Sequence, residues 1–212
     1  MKSLGIDVGG VRKGLDLVIV DGRHKILVQK RRANLGELRS LVAQHKPDIV
    51  AIDSPPAWAS TGWNSRHAER ELVRLGVHSF ATPSAPDRQK SSFYDWMREG
   101  FKVFRTLAGR FPRYRSGSVT GTAIEVFPHA SAVFLSARKR PRNIKRHHWR
   151  KAILQREGIE SAMLGSKDQI DAALAALTGL YALRGKMKTF GRPNEGVIVV
   201  PDKRVPTYKS IH

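Results

Sequence analysis

Leu4-Gly5-Ile6-Asp7-Val8-Gly9-Gly10 is an apolar run that carries one carboxylate and ends in two glycines. This pattern predicts a buried strand that ends in a tight turn, with Asp7 close to the turn. A charged group at a buried strand end costs free energy unless a partner stabilises it. Asp7 is therefore a candidate functional residue, and the alternative is an aspartate that only hydrogen-bonds its own turn.

A second acid follows another short apolar run. Ile49-Val50-Ala51-Ile52 is typical of a strand covered on both faces of a sheet, and Asp53 precedes the abrupt turn Ser54-Pro55-Pro56. If this strand lies beside the first and parallel to it, the carboxyl ends of the two strands bring Asp7 and Asp53 together. A turn hydrogen bond is the alternative for Asp53 as well.

Two further acids lie at the start of the last long helix. Ser166 is predicted to cap this helix, and Gln169 to complete a capping box ahead of the apolar run 172–183. Asp168 and Asp171 lie one turn apart, where acids also suit the helix dipole, and that is a structural alternative for both. Because so apolar a helix must pack on the sheet, we expect Asp171 to point at the strand ends.

The remaining patterns predict an α/β fold. The β-rich runs 15–20 and 26–28 flank Asp21-Gly22, a hairpin signal, so the first three strands should form an antiparallel meander. We expect a mixed sheet, made of this three-strand meander plus parallel strands, with helices on both faces and residues 1–212 in a single domain. Helices are expected at 35–44, 66–75, 92–108, 129–137, 149–156 and 167–183, and further strands at 123–128 and 196–200.

Composition narrows the function classes. The chain has 38 Lys and Arg against 18 Asp and Glu, a formal net charge of +20, so a polyanion such as nucleic acid is the first partner to consider. It has no cysteine, which excludes disulfides, thiolate metal sites and cysteine nucleophiles. The apolar run 172–183 is too short to cross a bilayer and the amino end lacks a secretory pattern. We expect a cytoplasmic protein with neither a membrane nor a dedicated protein as partner.

Basic residues cluster in one segment, 138–151, which holds eight Lys and Arg and no acid. Phosphate contact is one explanation, with Trp149 available to stack on a base, and a solvated surface is the other. Arginines at four-residue steps on the predicted helix 66–75 could also face phosphates, or could pair with Glu69 and Glu71. The candidate nucleic-acid contacts are Arg66, Arg70, Arg138, Lys139, Arg140, Arg142, Lys145, Arg146 and Trp149.

The four aspartates indicate the chemistry. Acids without matching cations do not gather unless a metal neutralises them, and oxygen-only ligands suit Mg²⁺ or Mn²⁺. Two such ions about 3.5–4 Å apart can support phosphodiester cleavage. Glu125, in the middle of a predicted strand, is a further catalytic candidate, or else a glutamate that faces water. The sequence contains no Gly-x-Ser-x-Gly and no phosphate-binding Gly-x-x-x-x-Gly-Lys-[Ser/Thr].

Five blocks of sequence, in this order, make the chain resemble the RNase H-like superfamily and, within it, the predicted-nuclease family called domain-of-unknown-function family 429. The blocks are Gly5-Ile6-Asp7-Val8-Gly9-Gly10, Ala51-Ile52-Asp53-Ser54-Pro55-Pro56, Arg66-His67-Ala68-Glu69-Arg70 with Leu75-Gly76, Glu125-Val126-Phe127-Pro128, and Lys167-Asp168-Gln169-Ile170-Asp171-Ala172.

The resemblance implies an RNase H-like fold with Asp7, Asp53 and Asp171 as the acidic centre and Asp168 as an added ligand or a base. The Asp-x-x-Asp-Ala of the last helix resembles the junction-resolvase branch. One departure is that many nucleases of the superfamily carry Glu where this chain has Asp53. Two rival functions remain open: a nucleic-acid-binding protein of the same fold without catalysis, and an ATP-binding protein like the actins and sugar kinases, which would need a second phosphate loop.

Overall fold

The computed structural model describes residues 1–84 and 91–202, and these form one seven-stranded sheet with six α-helices around it. The strands are β1 (Lys2–Val8), β2 (Leu15–Asp21), β3 (Ile26–Ala33), β4 (Ile49–Asp53), β5 (Ala123–Val126), β6 (Met187–Arg192) and β7 (Gly196–Pro201). The helices are α1 (Leu35–His45), α2 (His67–Arg74), α3 (Asp95–Leu107), α4 (Pro128–Ser136), α5 (Arg146–Arg156) and α6 (Lys167–Leu183), with 3₁₀ turns at Ser92–Tyr94 and Ser161–Met163.

The strand order across the sheet is β3-β2-β1-β4-β5-β7-β6. The first three strands form the predicted antiparallel meander, and β4 then pairs parallel to β1. β5 and β7 continue the parallel part, and β6 closes the far edge antiparallel to β7. The predicted mixed α/β sheet is therefore confirmed, with β1 and the central strand β4 side by side in its interior.

Helices cover both faces of this sheet, as expected. Leu4 and Ile6 of β1 point to one face and pack in a core that includes Leu38 of α1 and Phe104 of α3. The other face of β1 carries α6, and the two approach so closely that a Cβ on Gly5 would lie 1.9 Å from the Ala172 carbonyl oxygen. Glycine at position 5 thus lets α6 pack directly on β1.

Several predicted bounds differ from the structure: the strand at 26 continues to Ala33, the strand at 123 ends at Val126, and the helix expected from 92 begins at Asp95. Three further differences concern β6, α5 and the start of α6. The antiparallel edge strand β6 was not predicted, because its residues are polar and only partly buried. α5 begins at Arg146, three residues earlier than expected, inside the basic segment. Ser166 caps α6 as predicted, but the Gln169 side chain accepts a hydrogen bond from Gly165 N, so the capping box is not formed. None of the helices within 1–84 and 91–202 combines the length and the apolar character needed to span a membrane.

Candidate metal centre

Three neighbouring strands each contribute one aspartate to the same row of the sheet. Asp7 on β1 pairs in register with Asp53 on the parallel strand β4. Asp7 also pairs in register with Asp16 on the antiparallel strand β2. Residues directly opposite in register share a sheet face, and neighbouring strands lie about 4.8 Å apart. Asp16, Asp7 and Asp53 therefore form a line of carboxylates across the sheet.

α6 brings two more carboxylates to this row. Ser166 Oγ accepts a hydrogen bond from Gln169 N and so fixes the start of the helix, where Asp168 and Asp171 lie one turn apart. The contact of α6 with Gly5 sets its height above β1. As a result, carboxylate oxygens of Asp7, Asp53 and Asp171 lie within 4.8 Å of one another, and so do those of Asp7, Asp16 and Asp168.

Two basic side chains reach the carboxylates contributed by α6. Arg150 of α5 donates from one guanidinium nitrogen to both oxygens of Asp171. Lys13, in the turn after β1, places its Nζ 2.8 Å from Asp168 Oδ1. The expectation that these acids gather without matching cations is therefore wrong for Asp168 and Asp171. The three acids of the strand row have weaker contacts with basic side chains. Arg31 Nε, for example, approaches Asp16 Oδ1 only to 3.8 Å.

Burial and mutual repulsion favour the protonated forms of these acids. Burial, followed by the charges of Asp171 and Asp168, raises the pKa of Asp7 to about 8. The pKa of Asp53 is raised well above its usual range by burial and then by Asp7. Burial raises the pKa of Asp171 even though Arg150 opposes the shift. A cation that stabilised the ionised forms would remove this cost.

The donor set suits a hard divalent cation. Only carboxylate oxygens converge in the two groups, and Mg²⁺ and Mn²⁺ prefer such ligands. Asp53 and Asp171 line an open cavity of about 400 Å³ together with Lys13, Arg146, Arg150 and Phe127. The acidic centre is therefore accessible from solvent through a cleft whose walls are partly basic.

Glu125, a predicted catalytic residue, lies outside this centre. It pairs in register with Ile52, one residue short of Asp53, and successive strand residues point to opposite faces. Its carboxylate is buried and accepts hydrogen bonds from both terminal nitrogens of Arg66. The alternative that Glu125 faces water is thus wrong: Glu125 forms a buried ion pair, and it lines the same cleft as Asp53 and Asp171.

The structure also corrects two of the predicted nucleic-acid contacts. Arg66 is 1% exposed and binds Glu125 and Glu69, so the pairing alternative, not phosphate contact, describes this side chain. Trp149 is 8% exposed and packs in the core with its ring 5.9 Å from that of His129, which leaves no free face for a base. Arg70 stacks over the Trp63 ring at 4.3 Å and remains partly exposed.

The rest of the predicted basic surface is exposed. Arg138, Lys139, Arg142 and Lys145 are exposed in the connection between α4 and α5, Arg146 is exposed at the start of α5, and Arg140 is partly exposed. Lys139, Arg140 and Arg146 line a second cavity of about 400 Å³. It shares Phe80, Phe127 and Arg146 with the acidic cleft, so the basic surface continues into the site.

Asp16 is the member of the acidic centre that the sequence analysis missed. It lies inside the predicted strand 15–20, where no turn or helix start beside it marks it as a candidate functional residue. The signal was available: a hairpin turn over residues 9–14 pairs Val8 with Leu15 and hence Asp7 with Asp16.

Comparison with known proteins supplies a family. A family model described as "Protein of unknown function (DUF429)" matches residues 5–196. A Thermus thermophilus RuvC structure is similar at 18% identity and a TM-score of 0.45, covering 87% of this chain and 97% of that one. T. thermophilus RuvC in complex with Holliday junction substrate is similar at 16% identity and a TM-score of 0.46, covering 87% and 96%. Similarity of this extent does not transfer an activity. No curated protein matches the chain.

Proposed function

We propose that this chain, which belongs to the DUF429 family, is a metal-dependent nuclease that hydrolyses phosphodiester bonds of DNA or RNA. The observation that carries the proposal is the convergence of Asp7, Asp53 and Asp171 within 4.8 Å at the end of an open cleft. Three partly buried carboxylates at this distance repel one another, and a divalent cation is the ligand that removes the repulsion.

Asp7, Asp53 and Asp171 would hold Mg²⁺ or Mn²⁺. When bound, such an ion supplies an activated water and stabilises the charge that develops on the phosphate oxygens. Arg150 acts on the centre by orienting Asp171 through its two hydrogen bonds. Asp168, held by Lys13, is in position to serve as an added ligand or to accept the proton of the attacking water.

The basic surface supports a polyanionic substrate. The acidic centre alone would repel a phosphodiester, but the cleft contains Lys13, Arg146 and Arg150 and continues into the cavity lined by Lys139 and Arg140. A strand that follows these cations would carry its phosphates to the carboxylate row. The net charge of +20 favours the same class of partner.

Cleavage of a panel of single-stranded, duplex and branched DNA and RNA with Mn²⁺ or Mg²⁺ tests the proposal. We expect metal-dependent cleavage by the wild type and none by Asp7→Asn, with salt-sensitive binding retained. Asp48→Asn is the matched control, because Asp48 lies at the opposite end of the sheet and accepts a hydrogen bond from Lys2 N. Equal cleavage by wild type and Asp7→Asn would contradict the proposal that Asp7 is part of a nuclease metal centre.

A specific observation also favours the alternative of a binding protein without catalysis. Arg150 and Lys13 already neutralise Asp171 and Asp168, so these two acids have a structural reason to be present without a metal. The two functions differ in metal binding: a nuclease binds Mn²⁺ through Asp7 and Asp53, whereas a purely structural cluster binds none. Calorimetric titration of the wild type and of Asp53→Asn with Mn²⁺ distinguishes them.

A further inference from the structure

Asp16 is a buried carboxylate with an unsatisfied oxygen. Its side chain is 5% exposed, and Oδ1 has no hydrogen-bond partner within the described parts of the chain. Arg31 Nε lies 3.8 Å from Oδ1, beyond hydrogen-bonding distance, and the Arg31 side chain is more than half exposed. A buried carboxylate oxygen without a hydrogen-bond partner destabilises the fold. A bound ligand at Asp16 would remove this cost.

The carboxylate of Asp16 belongs to a compact group of possible ligands. One oxygen each of Asp7, Asp16 and Asp168 lies within 4.8 Å of the other two. This triangle shares Asp7 with the triangle of Asp7, Asp53 and Asp171. The two triangles lie side by side because Asp16 and Asp53 each lie one strand spacing from Asp7, on opposite sides of it. One helix turn separates Asp168 from Asp171.

A cation already reaches the second triangle. Lys13 Nζ lies 2.8 Å from Asp168 Oδ1, and the Lys13 side chain is 45% exposed. Its charge also acts on Asp7 and Asp16. An ammonium on a flexible, half-exposed stem can leave when a cation of higher charge arrives, since an exposed ion pair of this kind contributes little free energy.

We propose that Asp16 is a metal ligand and that Asp7, Asp16 and Asp168 form a second divalent-cation site, which the Lys13 ammonium occupies in the metal-free protein. Asp7 bridges the two sites. In the first site Arg150 holds Asp171 through two hydrogen bonds and leaves Asp7 and Asp53 to bind an ion, so this site fills at lower concentration. The second site fills when Lys13 is displaced from Asp168. This inference extends the metal centre proposed above, but it does not require that the chain cleave nucleic acid.

Calorimetric titration of the metal-free protein with Mn²⁺, together with the electron paramagnetic resonance signal of free Mn²⁺, counts the bound ions. We expect two ions per chain for the wild type and one for Asp16→Asn, whose tighter site is retained. Asp21→Asn is the matched control, because Asp21 lies on the same strand at its other end and caps the backbone of Arg23 and Lys25. This variant should bind two ions. Circular dichroism verifies that each variant is folded.

Lys13→Met provides a second test that does not perturb the core. Removing the competing ammonium should tighten the weaker Mn²⁺ site by about fivefold and leave the tighter one nearly unchanged. One bound ion in the wild type, or two in folded Asp16→Asn, would overturn the proposal, as would equal weak-site affinities in wild type and Lys13→Met. Two bound ions without cleavage of any substrate would instead contradict the nuclease function and leave this site standing.

Discussion

Asp7 and Asp16 stand directly opposite each other in the antiparallel pairing of β1 and β2. The turn that joins the strands fixes this register, with Gly9 N donating to Gly14 O at 3.0 Å and Lys13 N donating to Gly10 O at 2.8 Å. The same turn carries Lys13, which reaches Asp168. One local hairpin therefore supplies two carboxylates and a competing cation, while β4 and α6 complete the centre from distant parts of the sequence.

The raised pKa of Asp7 makes the metal-free protein less stable as the pH rises. Its pKa is about 8 in the folded chain against 3.8 ordinarily, so the folded state holds the proton more tightly than the unfolded state does. The stabilising effect of that proton is complete below pH 4 and is lost as the pH rises through 8. With a chelator present, we expect the free energy of unfolding to fall by about 4 kcal/mol between pH 5 and 8.5, since each pKa unit corresponds to about 1.4 kcal/mol.

Chemical denaturation across this pH range measures the effect. Asp7→Asn should flatten the profile, because the amide neither ionises nor repels Asp171 and Asp168. Saturating Mn²⁺ should also flatten the wild-type profile, since a bound cation stabilises the ionised carboxylates. An identical decline in wild type and Asp7→Asn would show that other groups control the pH dependence.

Gly5→Ala should separate α6 from the sheet. The added Cβ would lie 1.9 Å from Ala172 O and 2.4 Å from Ala176 N, and backbone atoms of a packed helix cannot move aside easily. We expect a loss of about 3 kcal/mol or more in the free energy of unfolding, with weaker Mn²⁺ binding in any folded fraction, because Asp168 and Asp171 move with the helix. Gly10→Ala is the control, since a Cβ there meets nothing within 4 Å. Equal denaturation midpoints for the two variants would contradict this account.

The Arg66–Glu125 pair should prove structural. Arg66→Met leaves the buried carboxylates of Glu125 and Glu69 without their cation and should destabilise the protein by about 3–5 kcal/mol. Glu125→Gln should cost less, about 1–3 kcal/mol, because Arg66 keeps its contact with Glu69. The number of Mn²⁺ ions bound by folded Glu125→Gln should equal that of the wild type. If Glu125→Gln bound one Mn²⁺ ion fewer than the wild type and had an unchanged free energy of unfolding, Glu125 would be a metal ligand.

The sequence predicted the parts of the fold that local patterns control. The Asp21-Gly22 turn indicated the meander, the apolar run ending at Asp53 indicated a parallel strand, and Ser166 marked the start of α6. β6 escaped prediction because an edge strand with polar, half-exposed residues has no hydrophobic period to detect.

The contacts of the candidate site were harder to predict from the sequence, and for a different reason. Acids at strand ends could be recognised one at a time, but the partners of a side chain depend on tertiary contacts. Glu125 and Arg66 are 59 residues apart, so no local pattern joins them. Arg150 lies in a run of basic residues that looked like surface, yet it is 9% exposed and bound to Asp171. Trp149, the neighbouring residue on α5, is also buried.

Exposed cations of the α4–α5 connection should set the salt dependence of nucleic-acid binding. Each phosphate that they neutralise contributes about 0.9 to the slope of log affinity against log salt for duplex DNA. Replacing Arg138, Arg142 and Lys145 together with Gln should lower the slope by about 2–3, as measured by fluorescence anisotropy with a labelled duplex at several salt concentrations. Arg39→Gln is the control, because Arg39 is also exposed but lies on α1, which covers the opposite face of the sheet from α6. A slope unchanged in the triple variant would place the nucleic-acid surface elsewhere on the protein.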